Sequence, residues 1–344
     1  MIADIRTDRI GGQQGFVLVG VIWFLACMTL VVGAAVLWID RSRETLEAER
    51  QGVQRSFEER SMLSRLTWLM ATHRLTAAGQ TTPESAPADP SEMDPSMLSA
   101  GAELPLDGRE LCWVNGFCVA LIDRASRLSL NSSDPAAINA LLLSLGVPAE
   151  STARMLRELA LYQAAERGTA SSLLARRRLR SPMEVFRLPS WQQWEELLVA
   201  RGWSELVTVG EAGLNLNTAS AAVLTQAWRV PEGGLLRLLD LRRERPILSG
   251  SDLENILGGY YGDIPPEGWS RLPSSVVLIR IRPRDGEVRH EFQLKLLPNS
   301  SSLPPWQFLQ RRTLPSHASE IVEPQSPQTL PGLLAAPLVA GPWG

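Results

Sequence analysis

The chain has 344 residues, a formal net charge of −3 and 44% hydrophobic residues. That length suggests one anchor plus one or two folded domains. The near-neutral balance gives no reason to expect a polyanion as the main partner. There are only three cysteines.

Residues 16–39 read FVLVGVIWFLACMTLVVGAAVLWI and carry no charge. At ~1.5 Å rise per residue, a helix of this length spans a ~30 Å hydrocarbon core. A core helix of a soluble domain would be shorter and show a polar face. A secretory signal peptide has an apolar region of ~7–15 residues and a small-x-small cleavage motif. This run ends instead in Leu37-Trp38-Ile39-Asp40-Arg41. It reads as a retained transmembrane helix, within which Cys27 should be inert. Arg6 and Arg9 precede the span, and Arg41, Arg43, Arg50 and Arg55 follow it. The positive-inside count, taken alone, would place the following bulk in the cytoplasm.

Residues 40–78 continue as a predicted stalk helix without proline. Leu46, Val53, Phe57, Leu66 and Leu69 recur near helical spacing, and Arg and Glu fill the other positions. This suits a helix that leaves the bilayer and lays one face on a globular head. Residues 79–108, with TTPESAPADPSEMDP, read as a linker or long loop. The segment 109–126 holds ELCWVNGFCVALID, which alternates around Asn115-Gly116 and predicts a hairpin. A three-residue loop with Gly116 left-handed puts Cys112 opposite Cys118. A two-residue Asn-Gly turn puts them on a diagonal. A Cys112–Cys118 disulfide, which would imply an oxidising compartment, therefore depends on the loop type. Two free buried thiols are the alternative.

An internal repeat follows. LSLNSSDPAAINALLLSLGVP begins at Leu128, and LNLNTASAAVLTQAWRVP begins at Leu214. Each has a Leu-x-Leu-Asn entry, a small-residue helix start and an apolar helix ending at Val-Pro. SPMEVFRLP and SGSDLENILG match downstream. Ser181 precedes a proline, and Ser251 with Glu254 has capping-box spacing. Two small helical modules of one type are expected, at 127–205 and 206–273. Residues 274–298 read as two strands turning at Asp285-Gly286, able to join the first hairpin in an antiparallel sheet on the stalk. Residues 299–344 are expected to be mostly disordered. Leu330-Pro331-Gly332-Leu333-Leu334 is their one candidate docking segment.

No site of chemistry emerges. His73, His290 and His317 lack partners at metal-ligand spacing. No nucleophile elbow, phosphate loop or dinucleotide fingerprint occurs. Asp123 and Asp134 are explained by turns and caps. Trp113, Trp191, Trp194, Trp203, Trp228 and Trp269 read as core and interface residues. The expectation is a non-enzyme without metal or cofactor.

Gln13-Gln14-Gly15-Phe16 gives a short polar leader that ends in Gly, with Phe opening the apolar run. It resembles the prepilin signal of type IV pilins and type II secretion pseudopilins. The resemblance implies cleavage between Gly15 and Phe16 by a prepilin peptidase, N-methylation of Phe16, and an exported head. The paired cysteines and this exported class override the positive-inside count. The head is therefore expected in the periplasm, on a single pass through the inner membrane. Most members carry Glu at the fifth mature position. Here it is Gly20; the K-type minor pseudopilin, the member that typically lacks this Glu and is placed at the fibre tip, is the one the chain resembles in this.

The second module resembles helix-hairpin-helix domains, and the paired SAM-like modules behind this anchor again resemble the K-type, over about residues 13–297. Glu232 replaces the glycine hairpin that faces phosphate in DNA-binding versions. Arg242, Arg243 and Arg245 could form a basic patch, but Glu244 lies among them. No nucleic-acid partner is expected; a DNA-binding membrane protein and a minor pilin of a surface pilus are the alternatives. The resemblance implies an α+β fold, with the stalk packed on a pilin-like sheet. Its partners would be H-, I- and J-type minor pseudopilins, the major pseudopilin and secreted substrate. Some members bind calcium in the first module. Here the comparable stretch Leu159–Glu166 offers Glu166 alone, which is not a site.

Overall fold

The computed structural model describes residues 14–85, 102–112, 117–164, 178–210, 213–258, 269–283, 289–297 and 304–314. The chain divides into two units, 1–60 and 61–344. The first consists of the proline-free helix α1 (Gln14–Thr72) up to residue 60. From Leu18 to Arg41 every residue is exposed. Leu46, Val53 and Phe57 are exposed as well, between 56% and 65%. Of the apolar residues at helical spacing, Leu66 and Leu69 belong to the second unit. Helical spacing tells which residues share a face, not where along that face a partner begins.

In the second unit α1 becomes buried. Met62 and Leu63 are partly buried, and Leu66, Leu69 and Met70 are buried. The helix stops at Thr72 rather than continuing to residue 78, because β1 (Leu75–Thr76) and β2 (Gly79–Gln80) pair antiparallel. Gly79 takes φ +147, and a Cβ there would meet the Leu104 carbonyl oxygen at 2.2 Å. Only glycine fits so close an approach. Gln80 and Leu104 exchange backbone hydrogen bonds of 2.9 and 2.8 Å. Leu104 and Leu106 are buried, so residues 79–108 are tied down at both ends, as a long loop would be. Their middle lies outside the described residues.

The sheet has five strands in the order β11-β10-β9-β4-β3: β3 (Asp107–Cys112), β4 (Phe117–Asp123), β9 (Val276–Pro283), β10 (Arg289–Leu296) and β11 (Trp306–Leu314). All its pairings are antiparallel. Side chains alternate between faces. One face carries Phe117, Val119, Leu121, Val277, Ile279, Ile281, Phe292 and Leu294, packed against Leu66 and Leu69. The other carries Cys118, Ala120, Arg280 and Glu291, cross-strand neighbours of the polar rows. The strand β11 corrects the expectation of disorder for 306–314; residues 315–344 lie outside the described residues. Trp306 to Leu314 pair along the whole of β10. Their alternation, WQFLQRRTL, is broken by a bulge at Leu309, the extra residue opposite the step from Gln293 to Leu294, which hid the two-residue period.

Residues 124–275 are inserted between the paired strands β4 and β9, where Asp123 faces Val277. The first lobe begins with β5 (Leu128–Ser129), α2 (Pro135–Ser144) and α3 (Ala149–Ala164). It continues through α4 (Pro189–Gln192), α5 (Glu195–Ala200) and α6 (Trp203–Leu206) to β6 (Val207–Thr208). The second comprises β7 (Leu214–Asn215), α7 (Ala221–Gln226), α8 (Glu232–Glu244), α9 (Gly250–Leu257) and β8 (Trp269–Ser270). Each lobe is closed by a parallel pairing of its entry and exit, β5 with β6 and β7 with β8. Val207 and Thr208 thus belong to the first lobe, which corrects the boundary expected at 205/206. The lobes also share one continuous apolar core that runs from Leu128 to Leu257. Trp191 and Trp203 are fully buried in it, and their indole N–H groups donate to Met155 O and Pro182 O.

The repeated Leu-x-Leu-Asn has a shared job. Asn131 donates to Leu179 O and Val209 O and accepts from Leu179 N–H. Asn217 donates to Ile247 O and Arg271 O and accepts from Ile247 N–H. In each lobe one amide ties the entry to a middle segment and to the residue just past the exit strand. It satisfies backbone groups that no ladder reaches. Two residues after each clasp a serine caps the next helical turn: Ser181 in the first lobe, and Ser249 with Asp252 in the second. The capping box is therefore not Ser251 with Glu254. The two frames overlap, and Asp252 prevails because it accepts from the Leu248 and Ser249 N–H groups and is held by Arg245 at 2.7 Å.

The turns after the first helix of each lobe also correspond, at Gly146-Val147-Pro148 and Arg229-Val230-Pro231. Gly146 has φ 93, whereas Arg229 adopts φ 54 with a full side chain. A left-handed non-glycine costs ~1–2 kcal/mol, part of which glycine returns as chain entropy. Arg229→Gly should therefore raise stability by about 0.5–1 kcal/mol, read as a higher urea midpoint. A lower midpoint would mean that the arginine side chain contributes more than the backbone loses.

Candidate functional site

Three places carry the features that bear on function: the apolar half of α1, the cysteine hairpin, and the junction between lobes and sheet. Among the described residues, α1 is the one helix long and apolar enough to cross a membrane, and its apolar window is wholly unburied by the rest of the chain. Its backbone donors and acceptors are satisfied within the helix, as hydrocarbon requires. Thr29, the sole hydroxyl in the run, donates to Ala26 O at 2.8 Å. Gly15 and Phe16 lie in the first turns of α1. Gly20 is exposed, and a Cβ there would meet nothing within 4 Å. Nothing within this chain excludes a larger residue at that position. Cys27 is a free, exposed thiol.

In the hairpin, Cys112 and Cys118 are direct register partners on β3 and β4 and are joined by a disulfide. That register is not the diagonal of a two-residue turn; the turn itself, with Asn115 and Gly116, lies outside the described residues. Glu110 sits beside the bridge, and Arg282 grips it through Nε and a terminal nitrogen at 3.0 and 2.6 Å. Among the described residues this is the one group of metal-ligand types. Its two sulfurs are consumed by the bridge, and its carboxylate faces a guanidinium, so it does not suit a cation. Glu166 lies outside the described residues.

The junction draws on Asp123, read from the sequence only as a turn or cap residue, and on charged groups the sequence did not single out. Asp123 ends β4 and is 0% exposed. Its carboxylate accepts from Ala125 N–H, Asn215 Nδ2, Thr218 Oγ1, and both N–H and Oγ of Ser274, at 2.7–3.1 Å. It joins the start of the insertion, the entry of the second lobe and the return into β9. Asp134, by contrast, only caps α2.

On the polar face of the sheet, Glu291 is 3% exposed and pairs with Arg280 at 2.8 Å, Arg312 at 2.7 Å and Arg127 at 3.5 Å. Glu205 of the first lobe pairs with Arg280 and Arg127, and Arg127 also donates to Ser204 O. Burial would raise the Glu291 pKa, but the arginines, Arg127 foremost, hold it down at about 2. The second lobe docks through Arg242, which reaches Ala219 O at 2.7 Å and lies 3.9 Å from Asp107. Burial pushes Arg242 down to about 10. Arg243 pairs with Asp240 and Arg245 with Asp252. The arginines that could have formed a basic patch are therefore engaged within the lobe and with β3. Only the Leu-x-Leu-Asn repeat pointed to any of this, and it pointed to the asparagines rather than to Asp123 or Glu291.

A comparison with family models finds none that matches, and none of the curated proteins matches either. Among solved structures, the chain is similar to one from the GspK-GspI-GspJ complex of the enterotoxigenic Escherichia coli type 2 secretion system. The identity is 14% and the TM-score 0.42, over 79% of this chain and 99% of that one. At that identity and score the likeness does not assign the chain to a family.

Proposed function

We propose that this chain is a membrane-anchored minor pseudopilin of K type, a structural subunit of a type II secretion pseudopilus rather than an enzyme. One observation carries the reading: a single proline-free helix opens with a prepilin-like Gly15-Phe16 in its first turns, exposes an uncharged run from Leu18 through Ile39, and ends packed on an antiparallel sheet. That is the form of an assembly handle attached to a head. The span Phe16–Ile39 holds the subunit in the inner membrane until extraction. The disulfide supports a periplasmic head. The two lobes, read as SAM-like modules, make the head too wide to be capped by another subunit, which suits the fibre tip. The expected partners are H-, I- and J-type minor pseudopilins, the major pseudopilin and the prepilin peptidase.

The mature N-terminus tests this. Mass spectrometry of the protein from a host with a prepilin peptidase should find a chain that starts at Phe16 and carries one added methyl group. An intact Met1, or a cut beyond Ile39, would overturn the reading.

A further inference from the structure

The apolar face of the sheet is not fully covered where β11 forms its edge. A groove of ≈ 350 Å³ lies there, lined by Leu63, Phe292, Phe308, Leu309, Gln310 and Arg311. The bulge in the β10–β11 pairing leaves Leu309 without a register partner and places it beside Phe308. Both remain more than 40% exposed. The Arg311 guanidinium stacks 5.3 Å from the Phe292 ring and floors the groove. Within the described residues the outer edge of β11 is unpaired. An open apolar edge is a liability that proteins cover.

We propose that the groove is the docking site for this chain's own segment 330–339, which lies outside the described residues. Two features of the sequence support that occupant. The strand that forms the outer wall leads directly into it: residues 315–329 intervene after Leu314, and a link of that length reaches ~50 Å when extended, beyond the length of β11. Residues 325–344 carry no charge, and the segment LPGLLAAPLV presents Leu330, Leu333, Leu334, Leu338 and Val339 between prolines. The prolines bar a regular helix or a full ladder, so apolar burial against an existing surface is the way such a segment leaves water. A tether this short gives an effective concentration in the millimolar range, enough for a small dry contact.

The test uses the full chain in detergent micelles, with a benzophenone amino acid in place of Leu309. Mixing heavy-isotope and unlabelled chains separates crosslinks within one chain from those between chains. The expected product is a crosslink from position 309 to residues 330–339 of the same chain. Amide exchange in 306–314 should rise roughly tenfold when residues 330–344 are removed, and equally in the double variant Leu333→Asp, Leu334→Asp. Crosslinks only to a second copy, or unchanged exchange after removal, would overturn the proposal. Neither result bears on the mature N-terminus, so this test and that of the proposed function fail separately.

Discussion

Asp123→Ala should unfold the junction at a cost of at least ~3 kcal/mol, measured as a lower urea midpoint of tryptophan fluorescence. The carboxylate is buried and accepts five hydrogen bonds, from Ala125, Asn215, Thr218 and, twice, Ser274. Removing it leaves several donors unpaired away from water, each at ~1–3 kcal/mol, while relaxation returns part of the total. Asp134→Ala is the matched control, since that side chain is exposed and only caps α2; a lost cap costs about 1 kcal/mol. Equal losses in the two variants would mean that Asp123 is an ordinary cap and that the insertion is closed by other contacts. The position matters because β4 and β9 are neighbours in the sheet although 152 residues, 124–275, are inserted between them. A closure of that size needs contacts at its neck, and Asp123 with Ser274 supplies them.

What the sequence discloses and what it hides divide along a physical line. The apolar run of α1 and the alternation in β4 are local patterns with a fixed period, and each lies in the element expected from it; the Leu-x-Leu-Asn entries are legible because they recur. Asn131 and Asn217 stood out because they recur, even though their backbone partners lie 48 and 30 residues away. Asp123 does not recur and looks like any turn aspartate; besides the nearby Ala125, its partners come from two distant stretches that only the folded chain assembles. Glu291 sits in a strand reading RHEFQLKL, where a charged residue ordinarily marks a solvent face. Arg127 and Glu205 turn that face into an interior one. The strand β11 was hidden by its bulge. The exposure of Leu46, Val53 and Phe57 was hidden because a periodic face looks the same with or without a partner.

Glu291→Gln should cost ~3–5 kcal/mol at neutral pH, the price of leaving buried arginines short of one counter-charge. Arg127 is 7% exposed, and Arg280 and Arg312 are mostly covered; after the change Glu205 alone would face Arg127 and Arg280. The effect has a pH signature. Glu291 is held at about 2 in the folded chain, against 4.5 for a free glutamate. A depressed carboxylate contributes fully above its unfolded pKa and loses that contribution as pH falls through the folded one. The shift corresponds to ~3 kcal/mol, present above about pH 4.5 and gone near pH 2. Glu205 is lowered as well, with burial opposed by Arg280 and then Arg127, so its contribution falls in the same direction below its unfolded value. Urea midpoints measured from pH 7 to pH 2 should therefore drop steeply for the unmodified chain below pH 4.5 and less steeply for Glu291→Gln, with the two curves converging in acid. Parallel curves would show that the penalty comes from packing and not from charge. Convergence would locate the attachment of the first lobe to the sheet in this one buried cluster, with Arg127 and Glu205 as the lobe's half of it.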